Sequence, residues 1–418
     1  MKPTYPDKQR IWDWTMALAE ITEPDCPYTR RSFSPLFFEG RGWLEKEMQA
    51  LGLSTHVDVA GNLIGRLEGS EPEAETIMIG SHSDTVPSGG RFDGIAGVIA
   101  GLECIASWRD SGKTLRHSVE IVDYLAEEPS EWGISCVGSR GITGFMTAEL
   151  LATEHPETKE ALADAIKRVG GEPEKLTKRD DVAAVFELHI EQGSVLETEQ
   201  LDVGIVSGIV GILRLSIVFE GAAGHAGTTP MDIRRDASVA AARTSFLASE
   251  AASRIWQESG HYLTATCGQT FVHPNASNVV PGKTELVFDI RSDDKETMEL
   301  FATELKRIAE ESAQLADVDI TQFQRMTDTY PVNSDNTLMD HISSACHAHN
   351  IKAKMMPSGA GHDAAFLAHI APMAMVFVPS KGGISHRPDE WTTSEQFEKG
   401  VAALITAVES FDQLNKTI

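Results

Sequence analysis

The sequence predicts an α/β fold with a largely parallel sheet, interrupted by a smaller α+β insertion. Three observations carry that reading. The chain has 418 residues, more than one ordinary core of about 100–200 residues accommodates. Its first half alternates short apolar runs with helix-periodic segments, the strand, helix, strand rhythm of a parallel sheet. From about Ile209 the candidate strands instead alternate apolar and polar residues, as strands with one solvated face do.

Taken in order, apolar positions recur every three or four residues over Ile11–Ile21 and Gly42–Leu51, which predicts two helices. Thr55–Val59 and Leu63–Leu67 alternate as short strands. Thr76–Gly80 is a near-continuous apolar run, suited to a strand buried on both faces. A glycine-rich turn leads into a helix over Gly94–Trp108, and Ser118–Leu125 is a second buried strand. In the insertion, Leu213–Glu220 and Glu285–Arg291 read as half-solvated strands, with helices at Asp236–Ser253 and Lys295–Gln314. A helix at Asn336–His349, a strand at Ala371–Val378 and a helix at Ser394–Asn415 return to the first texture. The chain thus re-enters its first domain, giving 1–210 with 327–418 as one unit and 211–326 as the insertion.

Composition narrows the function classes. With 41% hydrophobic and 23% charged residues the chain is globular in type. Its 36 Lys+Arg against 62 Asp+Glu give a net charge of −26, which excludes nucleic acid and anionic membranes as expected partners, since both demand basic patches. Apolar runs such as Ala371–Val378 fall far short of the roughly 20 residues of a membrane-spanning helix. The N-terminus lacks the apolar core of a secretory signal. Five cysteines without a CxxC pair argue against a disulfide framework. The expected compartment is the cytoplasm.

Five segments carry chemistry, each at the end of a candidate strand, where ligands gather in open α/β sheets. In Gly80-Ser-His82-Ser-Asp84 the imidazole suits a metal, with Asp84 placed to orient its other ring nitrogen. Gly89-Gly-Arg-Phe-Asp93-Gly94 presents a carboxylate before a helix, although Asp at such a place is commonly an N-cap. Glu127-Glu128 follows a buried strand, where adjacent carboxylates repel unless a cation or proton compensates. One can bind metal while the other serves as general base. His189 and His386 complete the set. A lone His is more often a core or surface residue than a ligand, but five such groups at strand ends of one sheet are hard to dismiss. Three imidazoles and two carboxylates, with Glu127 spare, suit two divalent ions sharing one carboxylate with a hydroxide between them.

In this order the motifs resemble those of the metallopeptidase-like M20 amidohydrolases. The nearest branch holds N-carbamoyl-L-amino acid hydrolase, β-ureidopropionase and allantoate amidohydrolase. The likeness runs from Gly61-Asn-Leu to Gly383-Ile-Ser-His386. It is carried by Glu187-Leu-His-Ile-Glu-Gln-Gly193, Gly224-His-Ala-Gly-Thr-Thr-Pro230, Asn278-Val-Val-Pro-Gly282 and Ser358-Gly-Ala-Gly-His-Asp363. The resemblance implies a di-metal catalytic domain and an inserted lid and dimerisation domain. It implies His82, Asp93, Glu128, His189 and His386 as metal ligands, Asp93 bridging, Glu127 as base and proton donor, and Asp84 orienting His82. It further implies His225 as an oxyanion donor supplied in trans by the partner of a homodimer, and Arg291 as a clamp for the substrate carboxylate. Gln192, Asn275 and Asn278 would contact the substrate's polar end, and Gly359, Ala360 and Gly361 would offer it backbone groups.

The expected activity is hydrolysis of a carbon–nitrogen bond in a small anionic amide or ureido substrate, first an N-carbamoyl-L-amino acid. An allantoate, ureidoglycolate or N-acyl-amino acid substrate is the alternative, and a catalytically silent binding relative is a further one. Zinc is the first expectation for the two ions, with manganese or cobalt as alternatives. One departure stands out: where the branch continues with a third Glu and Gly-Ser-Arg-Phe, this chain reads Pro129-Ser130-Glu131-Trp132-Gly133. Substrate identity is the property that this change leaves open.

Overall fold

The structure, a computed structural model, describes residues 4–413. Residues 1–3 and 414–418 of the expected first domain, and so the end of the expected helix Ser394–Asn415, lie outside the described residues. Internal contacts divide the chain into Met1–Ser207 with Ser334–Ile418, and Gly208–Asn333. The second join falls beyond 326 because a strand runs on to Asp328, and Thr329 then exchanges backbone hydrogen bonds with Ile212.

In chain order the strands are β1 (Ser54–Val57), β2 (Leu63–Leu67), β3 (Thr76–His82), β4 (Val119–Tyr124), β5 (Val182–Ile190) and β6 (Val203–Ile209). The second unit follows with β7 (Gly211–Glu220), β8 (Gly224–His225), β9 (Leu263–His273), β10 (Val279–Val280), β11 (Lys283–Ser292) and β12 (Asp319–Asp328). The chain closes with β13 (Val332–Asn333), β14 (Ala353–Ser358) and β15 (Met373–Val378). The large sheet has the order β1-β2-β4-β3-β5-β15-β6-β13, with β14 also on β6. Its centre, β4-β3-β5-β15, is parallel. The flanking pairs β1/β2, β2/β4, β15/β6 and β6/β13 are antiparallel. The α/β expectation is thus met at the centre. At the flanks β1 and β2 form a hairpin across a short reversal, whereas β2/β4, β15/β6 and β6/β13 join strands far apart in sequence, so no crossover helix imposes a parallel direction on them.

Parallel strands covered on both faces should be continuously apolar, and β3, β4 and β15 are buried at every position. The helix Ile95–Ser111 lies against this sheet and is buried from Ile95 through Trp108. Its contacts with Ile79, Ile121, Phe186 and Leu188 belong to one core, in which a buried Phe→Ala change costs about 3–5 kcal/mol. Helix starts follow capping. Asp7 accepts from Gln9 N and Arg10 N, and Ser34 accepts from Phe37 N with Pro35 in the first turn, so both helices begin before the apolar periodicity does.

The second unit is a four-stranded antiparallel sheet, β12-β7-β11-β9. Helices Ala237–Ser259 and Lys295–Leu315 cover one face, burying Leu213, Leu215, Ile217 and Phe219 of β7. β11 alternates buried and half-buried residues along its length, the pattern that made it legible. The edge strand β9 is mostly exposed and carries no such pattern. A two-stranded piece, β8 against β10, extends this unit beyond the Glu220/Lys283 end of β7 and β11.

Candidate metal centre

The strand ends of the parallel centre deliver the chemistry. β3 runs through His82 itself, β5 carries His189, and Glu127 and Glu128 follow β4 after Ala126, whose φ of 51° turns the chain sharply. Asp93 precedes the helix Ile95–Ser111, and His386 follows β15 with a φ of 55°. A positive φ at a non-glycine residue costs energy, and such strain collects at functional sites.

Asp93 sits at the middle. Its Oδ1 faces His189 Nε2 at 3.2 Å and His82 Nε2 at 3.7 Å. Its Oδ2 faces His386 Nε2 at 2.9 Å, and the same nitrogen lies 3.1 Å from Glu128 Oε1. The adjacent Glu127 and Glu128 diverge, Glu127 Oε2 lying 3.6 Å from His82 Nε2 on the opposite lobe. Two groups therefore share Asp93, His82 with His189 and Glu128 with His386, and each holds its ligand atoms within 4.8 Å of one another.

Tautomers fit a cation as well. His82 Nδ1 donates to the Asp84 carbonyl at 3.0 Å and His189 Nδ1 to the Ile190 carbonyl at 2.9 Å. Each ring then turns an Nε2 lone pair toward Asp93, and Gly94 N–H reaches the His189 Nε2 at 3.1 Å. Asp84 Oδ1 stands 3.5 Å from the same His82 nitrogen and also accepts from Glu127 N at 3.2 Å, tying the two strand ends together.

The electrostatics are those of a site poised for positive charge. Burial alone would raise the Asp93 carboxyl, but the His189 and His386 rings outweigh it and hold Asp93 well below the usual range. Burial works against a charge on His82, yet Glu127, Asp84 and Asp93 raise it well above an ordinary histidine. His386 is pushed up to about 10 by Asp93 and Glu128. A field that favours a proton on these rings favours a cation equally. Burial, with Glu128 and Asp363 nearby, pushes the Glu127 carboxyl well up despite His82.

Other residues singled out from the sequence take these places. Gln192 Nε2 donates to Asp93 Oδ2 at 3.0 Å and Ser385 Oγ at 3.2 Å. Ala360 N donates to Ser358 Oγ, whose hydroxyl reaches back to the Ala360 carbonyl. Gly359 and Gly361 flank it in the turn after β14, and a Cβ at Gly361 would meet open space. In the second unit β8 and β10 pair His225 with Val279, next to Asn278, whose carbonyl accepts from Ala226 N. Asn275 lies in the same loop with a φ of 56°. The exposed His225 accepts from Gly227 N at Nδ1, leaving Nε2 to carry a proton. Arg291 pairs in register with Ile212 and Thr264 at the other end of β11, its Nε 2.7 Å from Asp289 Oδ1.

In the departing segment Pro129–Gly133, which continues directly from Glu128, two side chains turn to the neighbouring loops. Trp132 packs on Phe33 and His155 and donates to the Glu160 carbonyl, and Glu131 Oε2 lies 3.1 Å from His155 Nε2. Sequence reasoning passed over four buried polar residues, Glu187, His362, Asp363 and Glu390. Glu187, His189 and His362 form a third group able to hold a metal. In it burial keeps His362 well below the usual histidine range, and its Nε2 meets Ser358 Oγ at 2.8 Å. Glu187, His362 and Asp363 lie inside the quoted motifs, so proximity to them was the available signal. Glu390 had none, for Pro388-Asp-Glu390 reads as an ordinary turn.

A parallel sheet whose strand ends gather imidazoles and carboxylates able to hold metal defines a metallohydrolase architecture. Residues 78–410 match Peptidase family M20/M25/M40, and the chain belongs to that family. Across 405 residues it is 36% identical to N-carbamoyl-L-amino acid amidohydrolase of Geobacillus stearothermophilus, covering 96% of this chain and 97% of the relative. It is 36% identical over 388 residues to allantoate amidohydrolase of Escherichia coli, covering 91% and 92% of the two chains. A crystal structure of an amidase of the hydantoinase/carbamoylase family from Burkholderia multivorans superposes with a TM-score of 0.91 at 33% identity, over 97% of this chain and 98% of that one. The chain is a hydrolase, and carbon–nitrogen bonds in linear amide or ureido groups are the bonds for which these relatives are named.

Proposed function

We propose that the chain hydrolyses N-carbamoyl-L-amino acids, releasing ammonia, carbon dioxide and the amino acid. The observation that carries this reading is Asp93 facing two imidazole and carboxylate groups with its two oxygens, in a chain alike from end to end to a named carbamoyl-amino-acid hydrolase. His82 and His189 with Asp93 would hold one divalent ion, and Glu128 and His386 with Asp93 a second. Nitrogen and carboxylate donors of this kind suit zinc first, with manganese or cobalt as alternatives. Such ions, when bound, acidify water and polarise a carbonyl oxygen.

The chain's own residues do the rest. Glu127, its proton affinity raised by burial, takes a proton from the attacking water and returns it to the leaving nitrogen. Arg291 clamps the substrate carboxylate with a guanidinium fork and so turns binding into orientation. Gln192 and the backbone of Gly359–Gly361 line the polar end of the substrate, and Asn275 and Asn278, which stand beside His225, serve with it at the partner's substrate. His225 donates from Nε2 to the oxygen on which negative charge develops, a contribution typically worth about 3–4 kcal/mol.

His225 acts on the partner's substrate in a homodimer. Between the His225 end of the second unit and Arg291 lies the length of β11, more than about 25 Å at roughly 3.4 Å per residue. That exceeds the length of an amino-acid substrate, so one molecule cannot meet both residues of one chain. The enzyme acts in the cytoplasm, a reading supported by five cysteines that are all free. No helix among the described residues is long and apolar enough to cross a membrane.

The likeness to the allantoate amidohydrolase keeps a second reading in view. A panel of N-carbamoyl amino acids, allantoate, ureidoglycolate and N-acyl amino acids, with metal analysis of the purified protein, separates them. Ammonia release fastest from N-carbamoyl amino acids supports the proposal. Carboxylic acid release from N-acyl substrates alone, or a protein that holds no divalent metal and hydrolyses nothing, refutes it.

A further inference from the structure

Glu390 is a fully buried carboxylate with no part in the chemistry above. It lies four residues beyond His386, in a turn closed by Glu390 N donating to the Arg387 carbonyl and by Lys381 N donating to the Trp391 carbonyl. Its Oε1 accepts from Phe92 N at 2.9 Å and from Asp93 N at 3.1 Å. Its Oε2 lies 3.0 Å from Ser385 Oγ, and that hydroxyl lies 3.0 Å from Asp93 Oδ2. One side chain thus grips the Asp93 backbone directly, and a single hydroxyl, Ser385 Oγ, stands between it and the Asp93 carboxylate, with Gln192 Nε2 donating to both Ser385 and Asp93.

The fit is close on every side. A Cβ at Gly90 would fall 1.8 Å from Glu390 Oε1, so the loop Gly89–Asp93 is laid onto this carboxylate in a way only glycine permits. Arg91 stacks between Tyr28 and Trp391, and Trp391 packs edge-on against Phe92 and Trp12. The loop carrying Asp93 and the loop carrying His386 come from distant parts of the sequence. Glu390 and Ser385 are where they are locked together by hydrogen bonds.

We propose that Glu390 is a positioning residue that, with Ser385 as its bridge, sets the carboxylate of Asp93 against His386. The inference rests on reading Asp93 and His386 as metal ligands. Groups that hold a ligand from behind typically govern metal affinity by about 10–100-fold. Glutamine can reproduce the contacts, since its amide oxygen accepts the two backbone N–H groups and its NH2 meets Ser385. Alanine cannot.

The test uses the full-length protein, stripped by a chelator and titrated with zinc against a chromophoric competitor. Melting temperature is recorded without metal, and kcat and KM after loading. Glu390→Ala and Ser385→Ala are expected to weaken zinc binding by about tenfold or more and to lower kcat more than they raise KM. Glu390→Gln is expected to stay within about threefold of wild type in all three. Wild-type zinc affinity in a folded Glu390→Ala or Ser385→Ala protein overturns the proposal, as does a loss in Glu390→Gln equal to that in Glu390→Ala. If Glu390→Ala fails to fold, Ser385→Ala and Glu390→Gln decide. Asp93→Asn separates the underlying reading: if that variant binds zinc as wild type does, the ligand assignment fails, whatever Glu390 does.

Discussion

Gly94→Ala tests how tightly the fold holds the candidate centre. Gly94 is the middle of a γ-turn, with φ 67° and ψ −47° and Ile95 N donating to the Asp93 carbonyl at 2.7 Å. This conformation is rare and strained for residues with a Cβ, at a cost of roughly 1–3 kcal/mol. The added methyl would also fall 2.4 Å from Cε1 and Nε2 of His82. Ordinary contact begins near 3.4 Å, so the ring must retreat by about 1 Å, a displacement that can cost about 100-fold in rate. Gly112, at the other end of the same helix, shares the φ of 67° but has nothing within 4 Å of its Cβ position. Gly112→Ala therefore carries backbone strain without the collision. The assay compares zinc affinity, kcat/KM and melting temperature for both variants. Both should melt below wild type, while only Gly94→Ala should lose at least tenfold in metal affinity and about 100-fold in kcat/KM. Equal metal affinity and kcat/KM in the two variants would show that the His82 ring is not held as described.

Glu127→Gln should keep its metal but lose turnover by about 100-fold or more; activity within tenfold of wild type would mean that the base is another group. Mixing His225→Ala chains with Glu127→Gln chains should restore part of the activity if His225 serves the partner's site, and no recovery in verified heterodimers would count against a shared site. Asp412 gives a pH-dependent case away from the centre. Burial works to raise its carboxyl, but His117 and the backbone N–H groups of Arg116 and His117 prevail and hold it below the ordinary value. Its stabilisation is therefore complete above the ordinary aspartate range near pH 4 and is lost as the pH falls through the depressed value. Asp412→Asn should lose about 1.5–3 kcal/mol in urea unfolding at pH 7 and progressively less below pH 4. A gap of the same size at both pH values would remove Asp412 as its source.

Much of the fold was legible because burial leaves a mark on composition. β15 and the Thr76–Gly80 part of β3 are buried on both faces and read as near-continuous apolar runs, and β4 is buried throughout although it carries Glu120 and Asp123, while β7 and β11 alternate because helices cover only one side. The edge strand β9 was not read, since its side chains are largely exposed and nothing selects an apolar period there. Of the site, the residue types at strand ends were visible: His82, Asp93, Glu127, Glu128, His189 and His386 each stand beside a recognisable turn. Their membership of one site with Asp93 as bridge was implied by the resemblance, but which imidazole faces which Asp93 oxygen was not.

By itself, then, the sequence determined the α/β class, the existence of an insertion and the inventory of imidazoles and carboxylates, because these depend on local pattern and residue identity. Only the tertiary structure decided that the two oxygens of Asp93 face different imidazoles and that main-chain carbonyls set the tautomers of His82 and His189. It alone put Glu390 behind Asp93 and separated His225 from Arg291 by the length of a strand. These are relations between residues up to about three hundred positions apart, made by sheet register and loop packing, and no local pattern in a sequence encodes a distance of that kind.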